Sequence, residues 1–231
     1  MNIKEFHLQL FGLLMIFYVV ITLGFSSFFE LLTSAAKKNI DKPVMALEFV
    51  RKAKDVEDII KNSDKARNGL KTFLILDTFA FVPLYFAFLL LMSFFLTQTS
   101  FERSNLLGLT VVFISVLAAI ADWTENFYSY KALDAVFSNS EENVPFVFIA
   151  AHVKWIALFI STGILSAIFW RGGWWNIAAV LLLSSSLIGL FGLFLYRPIL
   201  TLSLIIQMLV ILVTGSLFLS RTCRLSFLNE G

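Results

Sequence analysis

The sequence predicts an all-α fold: a polytopic membrane helix bundle of about six transmembrane helices, with an amphipathic helical segment between the first two. Two observations carry this. The chain is 58% hydrophobic and only 15% charged, with a mean hydropathy of +0.84, whereas a soluble domain carries roughly 25% charged residues. Its apolar residues also gather into six stretches near or above the roughly 20 residues that cross a bilayer. These run from Phe6 to Phe29, Thr72 to Thr97, Leu106 to Asn126, Pro145 to Trp170, Trp174 to Tyr196 and Pro198 to Ser220.

The first stretch follows Lys4 as a signal peptide would, but it far exceeds a signal-peptide core of roughly 7 to 15 residues. Phe28, Phe29 and Glu30 also make a poor cleavage site. Residues 1–29 are therefore expected to be a retained first transmembrane helix.

Residues 30–71 are polar and basic. Lys37, Lys38, Lys42, Arg51, Lys52, Lys54, Lys61, Lys65, Arg67 and Lys71 are interleaved with Asp41, Glu48, Asp55, Glu57, Asp58 and Asp64. That pattern predicts a water-facing helical linker with i, i+4 pairs such as Lys54 and Asp58. Pro43 suits a first helical turn with Asp41 as its cap, and Val44, Leu47, Val56, Ile59, Ile60 and Leu70 form an apolar stripe. Such a helix would lie on the headgroups or pack beneath the bundle. Asn68-Gly69 is expected to end it before the second span.

Residues 72–220 then form a five-helix membrane bundle, followed by a short polar tail, 221–231. Small residues at Gly163 and Ala167, at Ser185 and Gly189, and at Gly192 mark close helix approach. Trp170, Trp174 and Trp175 around Arg171-Gly172-Gly173 predict a tight interfacial turn with an aromatic belt, and Tyr196-Arg197-Pro198 predicts another turn. Cys223 is the single cysteine, so no internal disulfide forms. A net charge of +2 argues against a nucleic-acid partner; the expected partners are membrane lipids and a small-molecule or ion ligand.

Ionisable residues inside apolar spans are costly and point to function. The second span carries Asp77, the third Asp122 and Glu125 beside Asn126, and the fourth Lys154. Alternating the spans brings these groups to one leaflet, at depths of roughly 9 Å for Asp77 and roughly 13 Å for Lys154 by helical rise. Ala118, Ala119 and Ser115 share the face of Asp122, and Ala150, Ala151, Ala157, Leu158 and Ser161 surround Lys154. Both charged faces therefore read as helix contacts. Pro83 is expected to free the Phe79 carbonyl and bend the second span, with Tyr85 on approximately the face of Asp77. The candidate buried polar site is thus Asp77, Tyr85, Asp122, Glu125, Asn126 and Lys154. His152 lies on another face from Lys154 and His7 is too distant to join it. With two histidines and one cysteine, neither a metal site nor a bound cofactor is expected.

The segments Leu76-Asp77-Thr78-Phe79-Ala80-Phe81-Val82-Pro83-Leu84-Tyr85 and Asp122-Trp123-Thr124-Glu125-Asn126, followed by Lys154, carry a resemblance. They are similar to the L-D-x-x-F-x-P-x-Y, D-x-x-E-N and single-lysine pattern of uncharacterised bacterial multi-pass membrane proteins. The resemblance implies that these motifs sit in successive membrane helices of a cell-membrane protein, a bacterial inner membrane being the expected location. It brings no activity with it.

Three classes of function stay open. The polar site would bind or translocate a proton, an ion or a lipid headgroup; or it would only fix helix packing. In the third class, an intramembrane lipid enzyme, Asp77 and Glu125 would serve as acid and base, with Lys154 stabilising developing negative charge. No H-E-x-x-H, P-loop or G-x-S-x-G motif accompanies them.

Counting cations by side puts the basic segment, Lys131 and Arg197 together, opposite Lys4, Arg103, Arg171, Arg221 and Arg224. The positive-inside rule then favours a cytoplasmic basic segment and external termini. Cysteines introduced near Lys38 and Lys65 should resist an impermeant thiol label in intact cells; ready labelling there, with the termini protected, would invert the topology.

Overall fold

The computed structural model describes residues 3–40, 42–97, 104–135, 142–170, 172–195, 197–220, 222–224 and 227. Among these, 92% of residues are helical and none is in a strand. The elements are α1 (Ile3–Leu32), α2 (Ser34–Lys37), α3 (Pro43–Glu48), α4 (Ala53–Ile60), α5 (Asp64–Leu76), a π-helical turn (Asp77–Phe81) and α6 (Val82–Thr97). After these come α7 (Ser104–Ala135), α8 (Val144–Leu165) with a short 3-10 extension (Ser166–Phe169), α9 (Gly173–Leu195) and α10 (Arg197–Leu219). Six helices, Glu5–Leu32, Asp64–Phe95, Asn105–Asp134, Val144–Phe169, Gly173–Leu195 and Pro198–Leu219, are long and apolar enough to cross a membrane. The exposed side chains of these helices are largely Phe, Leu, Ile and Val, as lipid-facing surfaces require.

The chain divides into two compact units. One comprises Met1–Ile21, Phe86–Val116 and Trp155–Gly231; the other comprises Thr22–Tyr85 and Leu117–Lys154.

The first unit is held by aromatic packing and backbone approach. Phe218 is fully buried and its ring meets those of Phe11, Phe95, Phe169, Trp175 and Phe227, with Trp175 stacked on it at 4.9 Å between centroids. α1 and α10 cross where two glycines meet: a Cβ on Gly12 would lie 2.6 Å from the Gly215 carbonyl oxygen, so only glycine permits this crossing. Ser203 Oγ donates to the Ser185 carbonyl oxygen at 2.6 Å, tying α10 to α9. The predicted small-residue contacts are present: Gly189 lies under the Phe159 ring, Gly192 against the backbone at Leu200, and Gly163 against Ser186. Gly172 and Gly173 take φ of 111° and 48°, values that glycine adopts without strain, and so build the turn before α9. Trp170 and Trp174 are exposed as a belt would be, but Trp175 is buried, one helical step round from Trp174 and stacked on Phe218. Arg171, Asp41 and Tyr196, named for the turns and the cap, lie outside the described residues, as does most of the 221–231 tail.

The second unit is built around the basic segment. Leu47, Val56, Ile59, Ile60 and Leu70 of the predicted stripe are buried, with Phe29, Val50, Phe73, Leu74, Leu133, Val144 and Val147 packed in the same core. The segment is not one helix. The Asp55 carboxylate accepts the backbone N–H groups of Arg51 at 2.8 Å and Lys52 at 3.0 Å, which starts α4. Lys61 and Asn62 then turn through the left-handed region, φ 44° and 56°, and end it. Ser63 Oγ accepts from Ala66 N at 3.3 Å and starts α5. Lys54 and Asp58 do not pair; among the described residues Arg67 pairs with Asp64, Lys37 with Glu30, and Lys71 with Asp134, the last joining α5 to α7, while Glu48 reaches Lys154.

Asn68-Gly69 does not break the helix, which runs unbroken from Asp64 into the second span. Gly69 serves close packing instead: a Cβ there would collide with the Leu32 carbonyl oxygen at the end of α1. Gly69→Ala should therefore lower the unfolding temperature in detergent, against the usual gain of roughly 1 kcal/mol for this change in a helix. Gly24→Ala in α1, where a Cβ meets nothing within 4 Å, should raise it or leave it unchanged.

Candidate buried carboxylate–lysine site

All of the predicted site residues belong to the second unit, and each is buried: Asp77, Tyr85, Asp122, Glu125, Asn126 and Lys154 are 2–8% exposed. α7 presents Ser115, Ala118, Ala119, Asp122, Glu125 and Asn126 on one face at three- and four-residue spacing, and all six are buried. α8 presents Lys154 among buried Ala150, Ala151 and Ala157. The small neighbours let the helices approach closely enough for short polar side chains to meet.

Lys154 Nζ lies 2.6 Å from Glu125 Oε2, 3.1 Å from Glu48 Oε1 and 3.3 Å from Asp122 Oδ1. The ammonium donates hydrogen bonds to Glu48 and Asp122 and forms a close ion pair with Glu125, so it faces three carboxylates from two other elements, α7 and α3. Asp77 is joined to the same face of α7 by Asn126, whose Nδ2 donates to Asp77 Oδ2 at 2.7 Å. The Tyr85 hydroxyl is buried on the Asp122 side of the cluster. Ser129, one turn beyond Glu125, has a buried hydroxyl with no hydrogen-bond partner among the described residues.

Glu48 was not among the residues singled out from the sequence. The basic segment read as a solvated linker, and its acids as partners for its many cations. The signal was nonetheless present, because Glu48 is the one charge in the apolar run Val44 to Val50. α3 carries it under α8, where Leu47 and Val50 are buried beside it. Its side chain is 14% exposed, against 5% for Asp122 and 2% for Glu125, so Glu48 is the member of the cluster nearest water.

The turn at Asp77 also differs from the expected proline bend. Residues Asp77–Phe81 form a π-turn in which the Val82 N–H bonds to the Asp77 carbonyl. In that register the missing N–H of Pro83 leaves the Thr78 carbonyl to be satisfied, and the Trp123 indole Nε1–H donates to it at 3.0 Å. The wider turn has a second consequence. Eight residues of α-helix overshoot two turns by about 80°, and the extra residue of the π-turn absorbs most of that offset, so that Asp77 and Tyr85 are buried together.

His152 stays apart from the ion pairs given above. Its Nδ1 lies 2.7 Å from the Phe148 carbonyl oxygen and its ring packs on Phe148 and Phe49. Asp77 and Glu125, the acid and base of an enzymatic reading, are each engaged, one by Asn126 and the other by Lys154. Among the described residues, no group of three or more His, Cys, Asp or Glu side chains is arranged to hold a metal ion.

No protein family, curated protein or solved structure matches this chain, so the site is read from its own geometry.

Breaking a buried ion pair from one side leaves an uncompensated charge, a cost of about 3–5 kcal/mol. Lys154→Met should therefore lower the unfolding temperature sharply. Adding Glu125→Gln or Asp122→Asn should recover part of the loss, by about 1–3 kcal/mol of coupling. Additive losses in the double variants, by thermal unfolding in detergent, would show that the ammonium and carboxylates do not depend on each other.

Proposed function

We propose that this is an integral membrane protein whose buried carboxylate–lysine cluster binds and exchanges a proton. One observation carries the reading: three buried carboxylates on membrane-spanning helices, Asp77, Asp122 and Glu125, stand in one cluster with one buried ammonium, Lys154, and Glu48 of α3 adds a fourth carboxylate at its edge. With these groups ionised the spans would hold a net charge of −2 in the cluster, three carboxylates against one ammonium, and such charge inside a membrane must be neutralised. Protons supply what Lys154 cannot.

Lys154 acts as an internal competitor in this scheme. When a proton neutralises Asp122 or Glu125, the ammonium loses one of its three partners and shifts weight to the others, so protonation and side-chain position are linked. Glu48, the most exposed member, is the step between the cluster and water. Asn126 keeps Asp77 oriented toward the α7 face, and the hydroxyls of Tyr85 and Ser129 offer neutral oxygens beside the carboxylates. A lipid headgroup is the less suited ligand, since two grooves on this unit, beside Trp123 and beside Arg51, are lined by residues outside the cluster.

A purely architectural cluster is favoured by its enclosure, and the same experiment separates the two. The purified protein in liposomes is followed by infrared difference spectroscopy across a pH jump. The expected result is a reversible buried-carboxyl band that changes with pH and is reduced in Asp122→Asn and Asp77→Asn variants that still fold. A carboxyl spectrum indifferent to pH, in a protein that those variants only destabilise, would leave the architectural role and sink this one.

A further inference from the structure

A second feature of the same unit lies apart from the carboxylate cluster and is independent of its role. Arg51, Pro145, Phe148 and Ile149 line a groove of about 420 Å³. It lies at the boundary of a membrane span, since Pro145 stands in the first turn of α8 and the span runs Val144–Phe169. Pro145 and Ile149 are exposed, so one wall is apolar and open outward. The Arg51 guanidinium stands over the Phe148 ring at 4.9 Å from its centroid. Among the described residues no carboxylate forms a salt bridge to that guanidinium; the nearby Asp55 carboxylate is taken by the backbone N–H groups of Arg51 and Lys52.

We infer that this groove is a binding site for an anionic phospholipid, with the phosphodiester on Arg51 and an acyl chain along Pro145 and Ile149. The ligand must be amphipathic because the groove is: a fixed cation at the end of a span and apolar surface leading into it. A guanidinium stacked on an aromatic face keeps its N–H edge free, and that edge matches two phosphate oxygens in a way an ammonium does not. Stacking also restricts the arginine before the lipid arrives, which lowers the ordering cost of binding. Exposed Lys52 adjoins Arg51 and adds positive potential, so a headgroup with net negative charge is preferred over a zwitterionic one.

The test is lipid retention by the delipidated full-length protein, measured by native mass spectrometry with dioleoyl phosphatidylglycerol, dioleoyl phosphatidylcholine and dioleoylglycerol as probes. Phosphatidylglycerol should bind best and dioleoylglycerol least. Arg51→Gln should weaken phosphatidylglycerol about five-fold, the effect of one cation at a membrane surface, and Arg51→Lys should restore only part. Phe148→Leu, which keeps the apolar wall and removes the stack, should also weaken it. Lys65→Gln, an exposed cation elsewhere on the segment, should change nothing. Equal losses from Arg51→Gln and Lys65→Gln would reduce the effect to diffuse surface charge and overturn the site. So would unaltered binding in Arg51→Gln, or dioleoylglycerol retained as well as phosphatidylglycerol. Inorganic phosphate displacing the lipid would show that the site recognises the free anion instead.

Discussion

The arrangement of the second unit depends on one buried ammonium. Lys154 draws carboxylates from α3 and α7 to within 2.6–3.3 Å, and Asn126 extends the same polar face to Asp77. In a membrane, hydrophobic burial does not select one helix pairing over another, because lipid tails are as apolar as the side chains. A buried charge does select. Rotating α7 or α8 by one residue would leave carboxylate or ammonium unpartnered at a cost of several kcal/mol, so the cluster determines which faces of these helices meet.

Small residues make that pairing geometrically possible. Ala118, Ala119, Ala150, Ala151 and Ala157 flank the charges and remove the bulk that would hold the helices apart. The same device, carried to its limit, joins α1 to α10 at Gly12 and Gly215 and packs Gly69 against the end of α1. The π-turn solves a different problem. It places Asp77 and Tyr85 together and passes the carbonyl orphaned by Pro83 to the Trp123 indole, so a helix interrupted by proline leaves no bare acceptor.

The basic segment gains its meaning from this cluster. Its stripe of Leu47, Val56, Ile59, Ile60 and Leu70 is buried as the pattern predicts, but the pattern reads as a linker because most of its charge is balanced and solvated. Glu48 shows why such a reading is incomplete. A carboxylate whose partner lies 106 residues away has no local signature beyond the apolar company it keeps, and i, i+4 arithmetic assigns it to a neighbour instead. Lys54 and Asp58, correctly spaced, do not pair, since two exposed charges gain little from closing.

What the sequence by itself determined is the class of molecule and the candidate polar groups. Six apolar stretches, the burial of Asp77, Asp122, Glu125, Asn126 and Lys154, and the inward faces of α7 and α8 all follow from hydropathy and helical period, which are local properties of the chain. Only the tertiary structure decided which carboxylates share Lys154, that Glu48 is one of them, that Trp123 rather than another donor serves the carbonyl at the π-turn, and that Asn68-Gly69 continues a helix. These are relations between distant segments. An ion pair or a glycine contact is set by where two backbones come within a few ångströms, and neither composition nor periodicity encodes that distance.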